Sequence, residues 1–162
     1  MSSEPKEQWV VVPVPSVEEE IGRWLWAMQD ARQRTLRAIV DFPPTLGDWR
    51  PNEQESSLGT LLYHIADIEA DYALFPYPTR DRQGHLTHVP GFGLEEHLER
   101  LATVRGLLLT TQMPLVAWRQ VRLMEHYDVT PEWVLHHLLQ HEAEHRSQIG
   151  ALRIQAERHE AQ

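Results

Sequence analysis

The chain contains no cysteine. Disulfides, thiolate metal ligands and a cysteine nucleophile are therefore excluded within this polypeptide, and any thiol chemistry must draw its thiol from outside. Basic residues are scarce as well: 15 Lys and Arg against 24 Asp and Glu leave a formal charge of −9. Binding to a phosphate backbone depends on clustered cations, so no nucleic-acid partner is expected. No apolar run reaches the roughly 20 residues that a membrane helix needs. The N-terminal MSSEPKEQWVVVPVPS lacks the basic stretch and long apolar core of a signal peptide. A cytoplasmic protein with no membrane partner is the expectation.

What is present suits one domain spanning residues 1–162: the length is sufficient for a real core, and 41% of the residues are hydrophobic. Residues 1–15 read as an extended arm, because WVVVPVP is held open by its prolines and has room to pack on the body or on a second subunit. The character changes at Ser16. S-V-E-E has the form of a capping box, with Ser16 as N-cap and Glu19 reaching back, and Ile21, Trp24, Leu25, Met28, Leu36 and Ile39 recur at helical spacing. This predicts a first helix from about Val17 to Asp41, closed by the loop FPPTLGDWRPNE.

Ser57 can cap a second helix to about Phe75, whose stripe is Leu58, Leu61, Leu62, Ile65, Ile68 and Tyr72. A third helix is predicted from Leu94 to about Gln112, with Leu98, Leu101, Val104, Leu108 and Leu109 inward. VRLMEHYDV is either extended or a short helical turn. Thr130 as N-cap, Pro131 at the first helical position and Glu132 beside it then start a fourth helix that runs to about Gln155. Four amphipathic segments, long connections after the second and third, and no strand series predict an all-α four-helix bundle.

Ten histidines are the anomaly in this composition. His137, His141 and His145 form an i, i+4, i+8 ladder that drifts only about 40° per step, so one face of the last helix carries three imidazoles. Two ligands from consecutive turns can grip a metal, and a third has to come from elsewhere. His64 lies on the flank of the second helix's buried stripe, and facing helices of a bundle can bring such residues together. His64, His141 and His145 could thus converge and leave coordination positions open, the pattern of a catalytic site rather than a closed structural one. His137 is either a hydrogen-bonding partner one turn away or a partly buried core residue. His85, His88, His97, His126, His136 and His159 read as loop or surface residues.

His141, Glu142 and His145 also spell H-E-x-x-H, the zinc-protease pattern in which the glutamate activates a metal-bound water. The downstream extension of that pattern is missing, only 17 residues follow His145, and no strand is evident to hold an extended peptide. The protease reading is set aside.

The segments WRPNEQESSLGTLLYHIADIEADY and HHLLQHEAEHRSQIGALR resemble the DinB/YfiT-like superfamily of four-helix-bundle metalloproteins, from about Val17 to Gln155. That family carries a histidine on the second helix and HxxxH on the last, followed here by Arg146, Gln148 and Ile149. The resemblance implies that His64, His141 and His145 bind a divalent metal; imidazole ligands suit zinc first for chemistry without redox, with nickel or iron as alternatives. It also implies a homodimer and a small-molecule substrate. Members include S-transferases and isomerases that use mycothiol or bacillithiol, hydrolase candidates, and proteins of unknown activity.

Three functions follow as expectations. The leading one is a metal-dependent transferase with a low-molecular-weight thiol as nucleophile. A hydrolase using metal-bound hydroxide would need a base, for which Asp67, one turn beyond His64, and Glu142, about 100° round the helix from His141, are the candidates. The third is a non-catalytic metal-binding or interaction bundle, for which six tryptophans offer apolar surface. Trp24 and Trp26 cannot both face one core, so one of them is a candidate for an interface.

Overall fold

The computed structural model describes residues 10–73, 91–110, 114–123 and 125–161. The first nine residues with Trp9, the connection holding His85 and His88, and the predicted helix ends at Phe75 and Gln112 lie outside the described residues. The helices are α1 (Glu19–Ile39), α2 (Leu58–Ala73), α3 (Leu94–Thr110), the short α4 (Leu115–Trp118) and α5 (Pro131–Glu160). VRLMEHYDV takes the extended alternative: β1 (Arg122–Leu123) pairs antiparallel with β2 (Asp128–Val129). The fold is the all-α bundle that the sequence predicts, built from the four long helices.

Two of the three predicted N-caps are made. Ser57 Oγ accepts from Thr60 N at 3.1 Å, and Thr130 Oγ1 accepts from Trp133 N at 3.1 Å, with Pro131 in the first turn. Each hydroxyl satisfies an amide that the helix itself leaves unpaired. Thr130→Ala is expected to cost about 1 kcal/mol, read as a lower denaturation midpoint at unchanged m-value. The capping box at Ser16 is not formed. Ser16 has φ 71°, Glu18 is the N-cap without a side-chain bond, and α1 begins at Glu19. The turn at Ser16 folds the arm back instead, so that Val14 N donates to Gly22 O at 3.0 Å. Gly22 allows that approach, since a Cβ there would meet Val14 O at 2.7 Å.

The core falls into two apolar halves. One gathers Ile39, Leu58, Leu62, Ile65, Leu101, Val104, Ile149 and Leu152; the other gathers Ile21, Leu25, Met28, Tyr72, Leu108, Trp118, Val134 and Leu138. Each long helix crosses from one half to the other, α1 and α5 in one sense, α2 and α3 in the opposite sense. Helix α2 thus packs parallel to α3 and antiparallel to α5.

At the crossing point each helix contributes one buried charge: Arg32 from α1, Glu69 from α2, Arg105 from α3 and Glu142 from α5, all at most 5% exposed. Arg32 Nε donates to Glu142 at 2.8 Å and its terminal nitrogen to Glu69 at 2.6 Å. Arg105 forks onto Glu69 at 2.5 and 2.9 Å and reaches Glu142 at 2.8 Å. The remaining guanidinium donors meet backbone carbonyls, Arg32 on Leu101 at 2.6 Å and Arg105 on Met28. The quartet is neutral in sum, and each guanidinium is held by both carboxylates, which is what offsets the large cost of desolvating ions.

Candidate metal centre

Helix α5 places His141 and His145 one turn apart on the face that meets α2, and α2 brings His64 to the same point. His141 Nε2 lies 3.0 Å from His64 Nε2 and 3.1 Å from His145 Nε2, and the three ligand atoms all lie within 4.8 Å of one another. His145 is buried, while His64 and His141 are half-buried. Adjacent ligands of a cation with bonds of about 2.0–2.1 Å are about 2.9 Å apart in octahedral and about 3.3 Å apart in tetrahedral geometry. The two spacings about His141, 3.0 and 3.1 Å, fall in that range. Hydrogen bonding alone does not account for the cluster: His141 Nε2 has one in-plane direction, a proton or a lone pair, and two nitrogens crowd it.

His145 Nδ1 lies 2.9 Å from Gln148 Oε1. A carbonyl oxygen only accepts, so the proton sits on Nδ1 and Nε2 presents its lone pair to the cluster, the tautomer that a ligand needs. Gln148 is the residue whose part in the site sequence pattern left unassigned; its signal was the i, i+3 spacing from His145. The donor set, the spacings and the tautomer fit a divalent cation, and the three-histidine cluster could hold one. Imidazole suits zinc, nickel, iron and copper alike.

The two carboxylates considered from sequence are engaged elsewhere. Asp67 receives Arg100 at 3.2 Å, and Arg100 in turn lies 3.9 Å over the Tyr63 ring and donates to Tyr63 O at 3.0 Å, tying α2 to α3. Glu142 belongs to the buried quartet. Burial is the largest influence on its carboxyl and raises the pKa, but the charges of Arg32 and Arg105, with hydrogen bonds from Arg32 and Thr35, outweigh it and hold the group below its ordinary value. Among the described residues no carboxylate joins the three-histidine group.

The other histidines divide. His137 stacks on Trp133 at 5.1 Å and 3° and meets Tyr72 edge-on at 5.5 Å, with its ring 6.1 Å from that of His141. It belongs to an aromatic cluster beside the site. His97, expected at the surface, is 3% exposed, because α3 lays it against α2 where Gly59 leaves room; a Cβ there would meet His97 Nε2 at 2.9 Å. His126 is exposed. His136 meets Trp24 edge-on, and His159 stacks on Trp49 at 5.1 Å. Trp24 and Trp26 are both half-buried.

No helix among the described residues is long and apolar enough to cross a membrane. Comparison with curated proteins gives no match. The family model of the DinB superfamily matches residues 27–149, most of the chain, and that span contains the three histidines, Gln148 and all four members of the buried quartet. The chain belongs to the DinB superfamily.

Proposed function

We propose that this protein is a divalent-metal-dependent transferase in which a low-molecular-weight thiol is the nucleophile and His64, His141 and His145 are the metal ligands. The observation that carries the reading is the convergence of three Nε2 atoms, one from half-buried His64 on α2 and two from His141 and His145 on α5. The three imidazoles would hold a divalent cation, which would supply the Lewis acidity that makes a nearby thiol more acidic. The chain has no cysteine to compete for that position. In the transfer the thiol's proton passes to solvent, the sulfur–carbon bond forms, and the leaving group departs with the electron pair of the bond it vacates.

Hydrolysis through water is the weaker reading, because it calls for a general base within hydrogen-bond reach. Asp67 and Glu142, the two candidates, are held by arginines. A thiol is intrinsically far more acidic than water, about 8.5 against 15.7, so beside the same cation it would ionise with less help from a base. The test is transfer of 2-mercaptoethanol to a panel of chromogenic electrophiles by zinc-loaded protein. The reading expects a rate above that of the thiol alone, lost in His64→Ala; no transfer to any electrophile by metal-replete protein would overturn it.

Gln148 gives a separate expectation. Gln148→Leu removes the acceptor that fixes the His145 tautomer and is expected to weaken metal binding about 10–100-fold without unfolding α5. Competition against a chromogenic chelator measures it, and an unchanged affinity would mean that the Nδ1 contact does not orient the ligand.

A further inference from the structure

Beside the histidines lies a pocket of about 320 Å³ that shares Gln148 with them. Its walls are Gln54, Glu55 and Ser56, from the segment that leads into α2, and Gln148 and Gln155 of α5. Leu61, one turn before His64, supplies an apolar floor. Gln148 is common to pocket and metal centre: its Oε1 accepts from His145 Nδ1 at 2.9 Å, so its amide donors remain for a ligand. One hydrogen bond and the width of one imidazole separate the pocket wall from His145 Nε2.

The chemistry of the walls is specific in one respect. Three carboxamides and a hydroxyl both donate and accept, the pattern that matches amides and hydroxyls. Among the described residues that line it the one charge is Glu55, whose Oε1 is pinned by Asn52 Nδ2 at 2.8 Å. Among the described residues that line the pocket none is cationic, so a carboxylate or phosphate would enter without a counter-ion and beside a fixed negative charge.

We infer that this pocket is the subsite for the uncharged amide- and hydroxyl-bearing tail of the small molecule whose reactive end is at His64, His141 and His145. The inference rests on the proposed thiol chemistry for the identity of that reactive end. The tail's recognition rests on the pocket alone, which makes the two separable.

The test uses pantetheine, an uncharged thiol with an amide and hydroxyl tail, 2-mercaptoethanol, which lacks that tail, and panthenol, a tail without a thiol. Calorimetry on zinc-loaded protein is expected to show pantetheine binding about tenfold more tightly than 2-mercaptoethanol, the return on one or two net hydrogen bonds. Ala151→Trp, which fills the pocket from the exposed face of α5, is expected to erase that advantage and leave 2-mercaptoethanol binding unchanged. Gln155→Leu, which keeps the pocket's volume, is expected to reduce the advantage in part. Equal binding of the two thiols, or an advantage that survives Ala151→Trp, would overturn the inference. If neither thiol binds, the thiol reading fails and panthenol decides the pocket: shifts in the side-chain amide signals of Gln54 and Gln155, absent in Ala151→Trp, support it, and no shift sinks it.

Discussion

Glu142→Gln is expected to destabilise the protein by about 3–5 kcal/mol, the range for breaking a buried ion pair from one side. The substitution keeps the shape but removes the charge that faces Arg32 at 2.8 Å and Arg105 at 2.8 Å, leaving two buried guanidiniums to share Glu69. Chemical denaturation would register the loss as a lower midpoint. A change within about 0.5 kcal/mol, as at an ordinary surface site, would show that the quartet is hydrated rather than dry. Glu142 is not a ligand of the proposed centre, so the variant is also expected to keep its metal content in the folded fraction. The acid dependence follows from the depressed pKa. Glu142's contribution is fully present above the unfolded carboxyl value of 4.5 and is lost as pH falls through the lower folded value. Stability of the parent protein should therefore decline below about pH 4.5, and that of Glu142→Gln should decline less steeply there.

Removing any one of the three imidazoles is expected to abolish metal retention, with a loss in affinity greater than the about 100-fold that follows when a ligand's hydrogen-bonding partner is lost. Elemental analysis of protein purified without a histidine tag measures this directly. The parent should carry near-stoichiometric metal after zinc reconstitution, and His64→Ala and His141→Ala should both lose it. The pair is chosen because the residues sit on different helices. Loss in both means one site shared between α2 and α5; loss only in His141→Ala would mean that the HxxxH turn binds alone. Retention of metal in both would remove the chemical basis of the transferase reading. Neither variant touches the quartet, so the stability of both should stay near that of the metal-free parent.

These two sets of residues were unequally legible. The histidines stand out because HxxxH is a local pattern, fixed by 3.6 residues per turn, and any helix that contains it places both rings on one face. The charged quartet is spelled at the same spacing. Arg32 continues Leu25 and Met28, Glu69 follows Leu62 and Ile65, Arg105 precedes Leu108, and Glu142 lies between Leu138 and His145, each in the register of its helix's apolar stripe. A charge in core register signals a buried ion. It does not say which ion of opposite sign, on which helix, will meet it, and Glu142 was therefore open to assignment as a base.

The helices, both hydroxyl caps that close on their own first turn, and the histidine pair were legible from local pattern, because each depends on residues within four positions of one another. Local pattern did not determine the turn at Ser16, where the return of Val14 onto Gly22 prevails over a local capping box. Nor did it determine the burial of His97, the parallel packing of α2 on α3, or the commitment of Asp67 to Arg100. Those depend on which helix faces give the closest packing of two apolar halves around a neutral charged layer. That is a property of four helices packed together, which no local stretch of residues carries.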